Sequence, residues 1–287
     1  MTSKPRKKGK DQKKEEAALY SGRTMNLVAA LKYSIFVIRY FKHPLKILLT
    51  YVKKHTNTLV ELRKGGVFNS FGYGDVGLGL YRIWGVCEYG IRPKDAKKFR
   101  VVVDIGAHIG YFSVFLGVLN PKCHVLSYEI DKGNFEKLKQ NINNCGALNV
   151  IPIHSAVTDK CGFVNYFSGR DCSEFSTTKI SFSNSATIVN EGLIAVGTVN
   201  SITLNDVIEG NNLDYVDFLK LDCEGAEFEI LYSTTKENFK KIKAIGGEYH
   251  EYGRQTVHEL IDYLSTSGHS KQIEKRSGIG LIHYTKN

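Results

Sequence analysis

The six cysteines of this 287-residue chain are scattered, and no Cys-x-x-Cys or Cys/His pair has the spacing of a zinc site. Cys87, Cys123, Cys145, Cys161, Cys172 and Cys223 read as free thiols, several of them in apolar runs, and nothing among them asks for an oxidising compartment. No run of 18 apolar residues occurs, so no spanning helix is predicted. The basic N-terminus is followed by neither a clean apolar core nor a small-residue cleavage site, and the expected location is the cytoplasm. No internal repeat is present.

Acidic residues are scarce at one end only. The net charge is +10, which by itself resembles a nucleic-acid signature. Residues 1–65 hold 16 Lys and Arg against 4 Asp and Glu, whereas residues 66–287 hold 23 against 25. A basic groove for DNA or RNA belongs in the main domain, and that domain is nearly neutral.

The basic end divides in two. Residues 1–16 are lysine-rich and polar, without core-forming residues, and read as a disordered tail. Residues 17–64 read as an amphipathic helical extension. Leu27 to Leu31 and Ile35 to Ile38 are strongly apolar, Lys32, Arg39, Lys46 and Lys53 recur at intervals of seven, and Pro44 opens a second helix to about Lys54. Wide apolar faces with basic edges suit in-plane attachment to an anionic membrane surface. They also suit packing on the domain or on a second subunit. Residues 65–287 are then the main domain. Its opening segment, 65–82, reads as a glycine-rich loop and short hairpin that either closes over a ligand or links.

The main domain is organised around Val101 to Ser113. Val101, Val102 and Val103 form a strand apolar on both faces, as in a parallel sheet covered by helices. Asp104 ends it, Gly106 and Gly110 bracket a turn where backbone can approach a ligand, and a helix runs from Tyr111 to about Leu119. A second apolar run, Cys123 to Tyr128, ends in Glu129, nineteen residues after Gly110. An acid there can accept both hydroxyls of a ribose. The spacing is Asp-x-Gly-x-x-x-Gly rather than the dinucleotide Gly-x-Gly-x-x-Gly, and Asp104 would oppose a diphosphate. An acid suits a cationic ligand, which favours S-adenosylmethionine, bearing an ammonium and a sulfonium.

These stretches resemble the FkbM-type S-adenosylmethionine-dependent methyltransferases. The resemblance is carried by VVDIGAHIGYFS (102–113), SYEIDKGNFEKLKQNI (127–142), SAVTDKCG (155–162), SITLNDVI (201–208), DFLKLDCEGAEFEIL (217–231) and GGEYHE (246–251), and spans roughly Phe71 to Glu251. It implies an α/β fold with a Rossmann-like sheet of seven strands, mostly parallel, closed by an antiparallel C-terminal hairpin. The expected order is a helix from Lys132 to Asn144, a strand from Val150 to Ile153, a serine-rich inserted hairpin region over 158–200, a capped helix at Thr203, a strand to Leu221, a helix from Ala226 to about Thr234, a strand from Ile242 to Tyr249, a helix from Val257 to Ser265, and a hairpin around Ser277-Gly278.

The cofactor-binding candidates are Asp104, Gly106, His108, Gly110, Glu129, Ser155, Ala156 and Asp222, with Ser155 and Ala156 beside the adenine. The catalytic candidates are His250, Asp222 and Glu224. His250 is the natural candidate for the general base, since a histidine of ordinary pKa titrates near working pH, and it reads equally as a satisfied histidine at a strand end. Asp222 and Glu224 serve as a base, as binders of acceptor hydroxyls, or as oxygen ligands to a divalent cation, an alternative that stays open without being predicted. Glu227 serves the N-terminus of the next helix, and Lys220 pairs with one of the acids. The expected activity is methyl transfer from S-adenosylmethionine to a hydroxyl of a sugar, a glycan or glycolipid, or a polyhydroxylated metabolite. One alternative is a nucleic-acid methyltransferase using residues 1–65 as a basic arm, disfavoured by the neutral core and by the lack of an Asn-Pro-Pro-Tyr or Asp-Pro-Pro-Tyr base pocket. The other is a non-catalytic scaffold, disfavoured by the intact cofactor residues.

Overall fold

The computed structural model describes residues 27–53, 55–169, 176–178, 193–251, 256–266, 269–275 and 279–286. The lysine-rich tail, Cys172 and the Ser277-Gly278 turn lie outside the described residues. The chain forms two compact units that divide between Glu88 and Tyr89.

In the first unit, helix α1 (Leu27–Tyr40) precedes helix α2 (Pro44–Val52). Pro44 opens α2, where a missing N–H costs nothing. Strands β1 (Leu59–Glu61) and β2 (Val67–Asn69) pair as an antiparallel hairpin. Helix α3 (Val76–Leu80) then replaces part of the loop expected over 65–82. Two causes, one local and one tertiary, account for it despite its glycines. The Asp75 carboxylate accepts the Leu78 N–H at 2.9 Å as a cap. A side chain at Gly77 would meet the Tyr33 hydroxyl at 2.6 Å. A widened turn follows over Tyr81–Gly85, in which the Val86 N–H reaches the Tyr81 carbonyl. Tyr33, Phe36, Phe41, Phe68, Tyr81 and Trp84 are buried and form the aromatic core of this unit.

The second unit opens with α4 (Pro93–Ala96) and continues β3 (Val101–Ile105), α5 (Ser113–Leu119), β4 (His124–Glu129), α6 (Lys132–Cys145) and β5 (Val150–His154). Next come β6 (Ala156–Thr158), β7 (Gly162–Gly169), β8 (Ser176–Thr177) and β9 (Leu193–Thr203). Helix α7 (Leu204–Gly210), β10 (Phe218–Leu221), α8 (Glu227–Ser233), α9 (Lys236–Lys241), β11 (Ala244–His250), α10 (Val257–Thr266), β12 (His269–Lys275) and β13 (Ile279–Lys286) complete it. The main sheet has the order β12-β13-β11-β10-β3-β4-β5. Its strands β11, β10, β3, β4 and β5 are parallel, and β13 runs antiparallel to both β11 and β12. This is the Rossmann-like sheet with an antiparallel closing hairpin that the sequence predicts. The strand order steps outward from β3 in both directions, which opens a crevice at the carboxyl ends of the strands.

Val102, Val103, Leu219, Leu221, Phe228, Leu231 and Ile245 are fully buried, so the central strands are covered on both faces. Asp131 starts α6 by accepting the Asn134 N–H at 2.8 Å, and Gly146 ends it with φ +64. Thr203 and Asp206 form a reciprocal capping box on α7. The inserted region folds as a second sheet of order β6-β9-β7-β8, with β7 and β9 as its antiparallel hairpin. Helix α9 was not foreseen; it is six residues long with one buried aromatic, Phe239, too short to show periodicity. Cys123 and Cys145 are buried free thiols, whereas Cys161 is exposed.

Candidate active site

The carboxyl ends of β3, β10 and β11 bring together the turn Asp104 to Gly110, the loop Asp222 to Ala226, and Glu248 with His250. Strand β4 adds Glu129. His250 lies inside β11, one residue beyond the predicted strand end.

The turn after β3 is held by Tyr128, whose carbonyl accepts the N–H groups of Gly106 and Ala107 at 3.0 and 2.9 Å. Gly106 has φ +79, and a Cβ there would stand 1.8 Å from the Asp222 carbonyl oxygen. Its glycine is therefore required by the neighbouring loop. A Cβ on Gly110, at φ +95, would strike Val114 and Leu138. His108, between them, also adopts a left-handed conformation, with φ +51.

Asp104 faces a protein cation. It is fully buried, and Lys220 Nζ, also buried, lies 3.1 Å from its Oδ1. The β10–β3 register sets Lys220 directly beside Asp104. The ammonium also donates to the Gly106 carbonyl and stands 3.9 Å from Asp222 Oδ2. Burial raises the Asp104 pKa, with Lys220 opposing. Burial pulls the Lys220 pKa down, but the charges of Asp104 and Asp222 outweigh it and leave a net rise. The acid that favours a cationic ligand in the sequence thus has its charge met inside the sheet.

Glu129 is buried at the end of β4. Its Oε2 accepts the His108 N–H at 2.6 Å and its Oε1 the Asp131 N–H at 2.8 Å. Burial pushes its pKa up to about 7, against the pull of those two N–H groups. Two backbone donors leave lone pairs on a carboxylate that has about four sites. The remaining acceptor sites fit the two hydroxyls of a ribose. Ser155 donates to the Asn200 and Ala156 carbonyls, at 2.9 and 3.0 Å, and Ala156 opens β6 in the second sheet. The Ser155 hydroxyl is thus engaged with the inserted region.

The loop after β10 is folded around Glu227. This fully buried carboxylate accepts the N–H groups of Cys223 and Gly225 at 3.0–3.1 Å and meets His250 Nδ1 at 3.2 Å. Burial raises its pKa, but His250 and the N–H donors outweigh that and leave it lowered. On the other side of the ring, His250 Nε2 lies 3.2 Å from Glu224 Oε2 and 4.0 Å from Glu248 Oε2. Glu224 holds φ +54, an uncommon conformation for a residue with a Cβ. Burial lowers the His250 pKa, but Glu227, Glu224 and Asp222 lift it to about 10. The expectation of a base titrating near neutrality meets a ring that keeps its proton there.

Asp222 Oδ2 accepts the Tyr89 hydroxyl at 2.7 Å. Asp222 therefore faces Tyr89 and Lys220, and Glu224 faces His250. Among the described residues no group of three or more His, Cys, Asp or Glu is arranged to hold a metal ion. Tyr89 escaped sequence reasoning because 133 residues separate it from Asp222. The Lys220–Asp104 pairing was within reach, since two adjacent parallel strands each carry one charge in an apolar run.

The methyltransferase FkbM domain family matches residues 104–272. A curated relative, the hexuronic acid methyltransferase AglP of Haloferax volcanii, is 21% identical over 142 residues, which cover 50% of this chain and 53% of that protein. The chain thus spans about half the length of that relative. Among solved structures, the fibrillarin pre-rRNA processing protein of Methanococcus jannaschii aligns with a TM-score of 0.41 at 12% identity, covering 68% of this chain and 69% of that one. The precorrin-6y C5,15-methyltransferase of Geobacter metallireducens aligns with a TM-score of 0.39 at 12% identity, covering 68% and 86%. With the family match running from the end of β3 into β12, the chain belongs to the FkbM methyltransferase domain family.

Proposed function

We propose that this protein transfers the methyl group of S-adenosylmethionine to a hydroxyl oxygen of a sugar, glycan or other polyhydroxylated acceptor. The observation that carries the reading is the arrangement Glu227–His250–Glu224 at the carboxyl edge of β11 and β10, on the same edge of the sheet as the buried Glu129 of β4. S-adenosylmethionine, when bound, supplies a methyl group already activated on sulfur, so the protein has to align an acceptor oxygen and take its proton.

Glu129 accepts the ribose hydroxyls, and the turn Asp104, Gly106, His108 and Gly110 lines the cofactor, with Ser155 and Ala156 on the adenine side. Asp222, held by Tyr89, borders the cofactor and the acceptor. Glu224 is the proton acceptor. His250, protonated between two carboxylates, orients Glu224 and stays an imidazolium. With S-adenosylmethionine bound, the methyl carbon would leave sulfur as it bonds to the acceptor oxygen, releasing S-adenosylhomocysteine, and the acceptor O–H proton would pass to Glu224. The hexuronic acid named for the Haloferax relative supports a sugar as the substrate class.

Titration of S-adenosylhomocysteine by calorimetry, with Glu129→Ala alongside, tests the cofactor site. Transfer of labelled methyl to uronic acids, neutral glycans and RNA then tests the acceptor, and alkali treatment separates ethers from esters. Alkali-stable label on a sugar supports the proposal. No binding by the folded wild type, label confined to RNA, or alkali-labile label overturns it.

A further inference from the structure

We propose that the outer sides of α1 and α2 form a docking surface for an anionic lipid membrane. The first observation is that each helix is apolar on its outer side. On α1, Val28, Leu31, Ile35 and Ile38 recur at three- and four-residue spacing, and each is at least 54% exposed. On α2, Leu45, Leu49 and Val52 do the same, at 58–75%. These are not the core positions. The core side of α1 is a separate stripe of Ala29, Tyr33, Phe36 and Val37, with the Tyr33 and Phe36 rings 5.2 and 5.5 Å from Tyr81. A globular helix ordinarily gives its second face to polar residues, and apolar patches of this kind mark an interaction site.

The second observation is charge. Residues 27–53 contain Lys32, Arg39, Lys42, Lys46 and Lys53 and no Asp or Glu. Lys42 turns to Glu61 of the hairpin, while Lys46 and Lys53 are exposed. A second copy of the same surface would set cation against cation. A nucleic acid would meet the cations but leave the aliphatic stripes in water. An anionic bilayer surface satisfies both, taking the aliphatic side chains into the acyl boundary and the lysines against headgroups. The helices are 14 and 9 residues long, and among the described residues none is long and apolar enough to cross, so the geometry is in-plane.

The test is flotation of the full chain with phosphatidylcholine vesicles, with and without phosphatidylserine. The expected result is flotation with the anionic vesicles that weakens with salt. Leu31→Ser/Ile35→Ser/Leu49→Ser should lower partitioning by about tenfold or more, since affinity scales with buried apolar area. Lys46→Glu/Lys53→Glu, which touches no core position, should lower it as well. Absence of flotation overturns the proposal. So does flotation unchanged in both variants, because the basic residues 1–26 would then suffice. A dimer or an RNA complex that the apolar variant abolishes, with no flotation, names a different occupant and overturns it too. S-adenosylhomocysteine titration of the same variants should be unchanged, which separates this surface from the methyl-transfer site.

Discussion

Lys220 and Asp104 stand opposite one another on adjacent parallel strands, 3.1 Å from Nζ to Oδ1, with both side chains withdrawn from water. A buried pair of this kind contributes little over an apolar pair of equal volume, but removing one partner strands the other charge. Lys220→Met should therefore destabilise the protein by about 3–5 kcal/mol in urea unfolding. Adding Asp104→Asn should recover more than half of the loss. Equal instability of the single and double variants would show that the two charges are not coupled.

With Glu129 in the proposed role of accepting the ribose hydroxyls, cofactor affinity should depend on pH. Its pKa in the free protein is about 7, and a carboxylate accepting ribose hydroxyls must be ionised. Binding therefore tightens as pH rises through 7 and weakens as it falls, by about tenfold per unit on the acid side. The folding term has the opposite sign. A folded pKa above the unfolded one means that the native state binds the proton more tightly, so this group's stabilisation is lost as pH rises from about 4.5 to about 7. Calorimetric titration of S-adenosylhomocysteine between pH 6 and 8 should show the affinity slope in the wild type and none in Glu129→Gln.

The main sheet was readable because its signals are local. The β-branched run of β3, the glycine turn, the acid at the end of β4 and the capping box at Thr203 each stand within a few residues. The charge partners were less so. Asp104 and Glu129 are visible as acids, but whether an acid meets a ligand, a lysine or a backbone N–H depends on register and burial. His250 shows the same limit. Its residue type suggests a base, and only the placement of Glu224 and Glu227 on either side of the ring shows what raises its pKa. The α3 helix was hidden by its glycines: the Asp75 cap is local, but the Tyr33 contact that fixes Gly77 comes from a residue 44 positions away.

His250 should behave as a structural cation. Its pKa, about 10 against an ordinary 6.5, places the native ring in the charged form throughout the neutral range. The stabilisation is fully present below pH 6.5 and is lost as pH rises through about 10. The melting temperature should fall between pH 7 and pH 10, and His250→Gln, at a cost of about 3 kcal/mol at pH 7, should flatten that decline. At saturating cofactor, kcat should show no inflection near pH 6.5. An inflection there that His250→Gln abolishes would restore the histidine as the base.

Two glycines separate backbone strain from steric exclusion. Gly146, at φ +64, has no atom within 4 Å of an added Cβ, so Gly146→Ala should cost only the left-handed penalty, about 1–2 kcal/mol. Gly106, at φ +79, shares that penalty, but its Cβ would overlap the Asp222 carbonyl, a backbone atom that can move only with its loop. Gly106→Ala should therefore displace the Asp222 to Glu227 loop and with it the Glu224–His250 contact. The expected outcome is loss of S-adenosylhomocysteine binding by at least about tenfold, a change of 1.4 kcal/mol or more, with Gly146→Ala binding as the wild type does. Calorimetry on both variants, with circular dichroism to show that each is folded, distinguishes a displaced site from a generally weakened domain, and equal affinities would mean that the turn and the loop move independently.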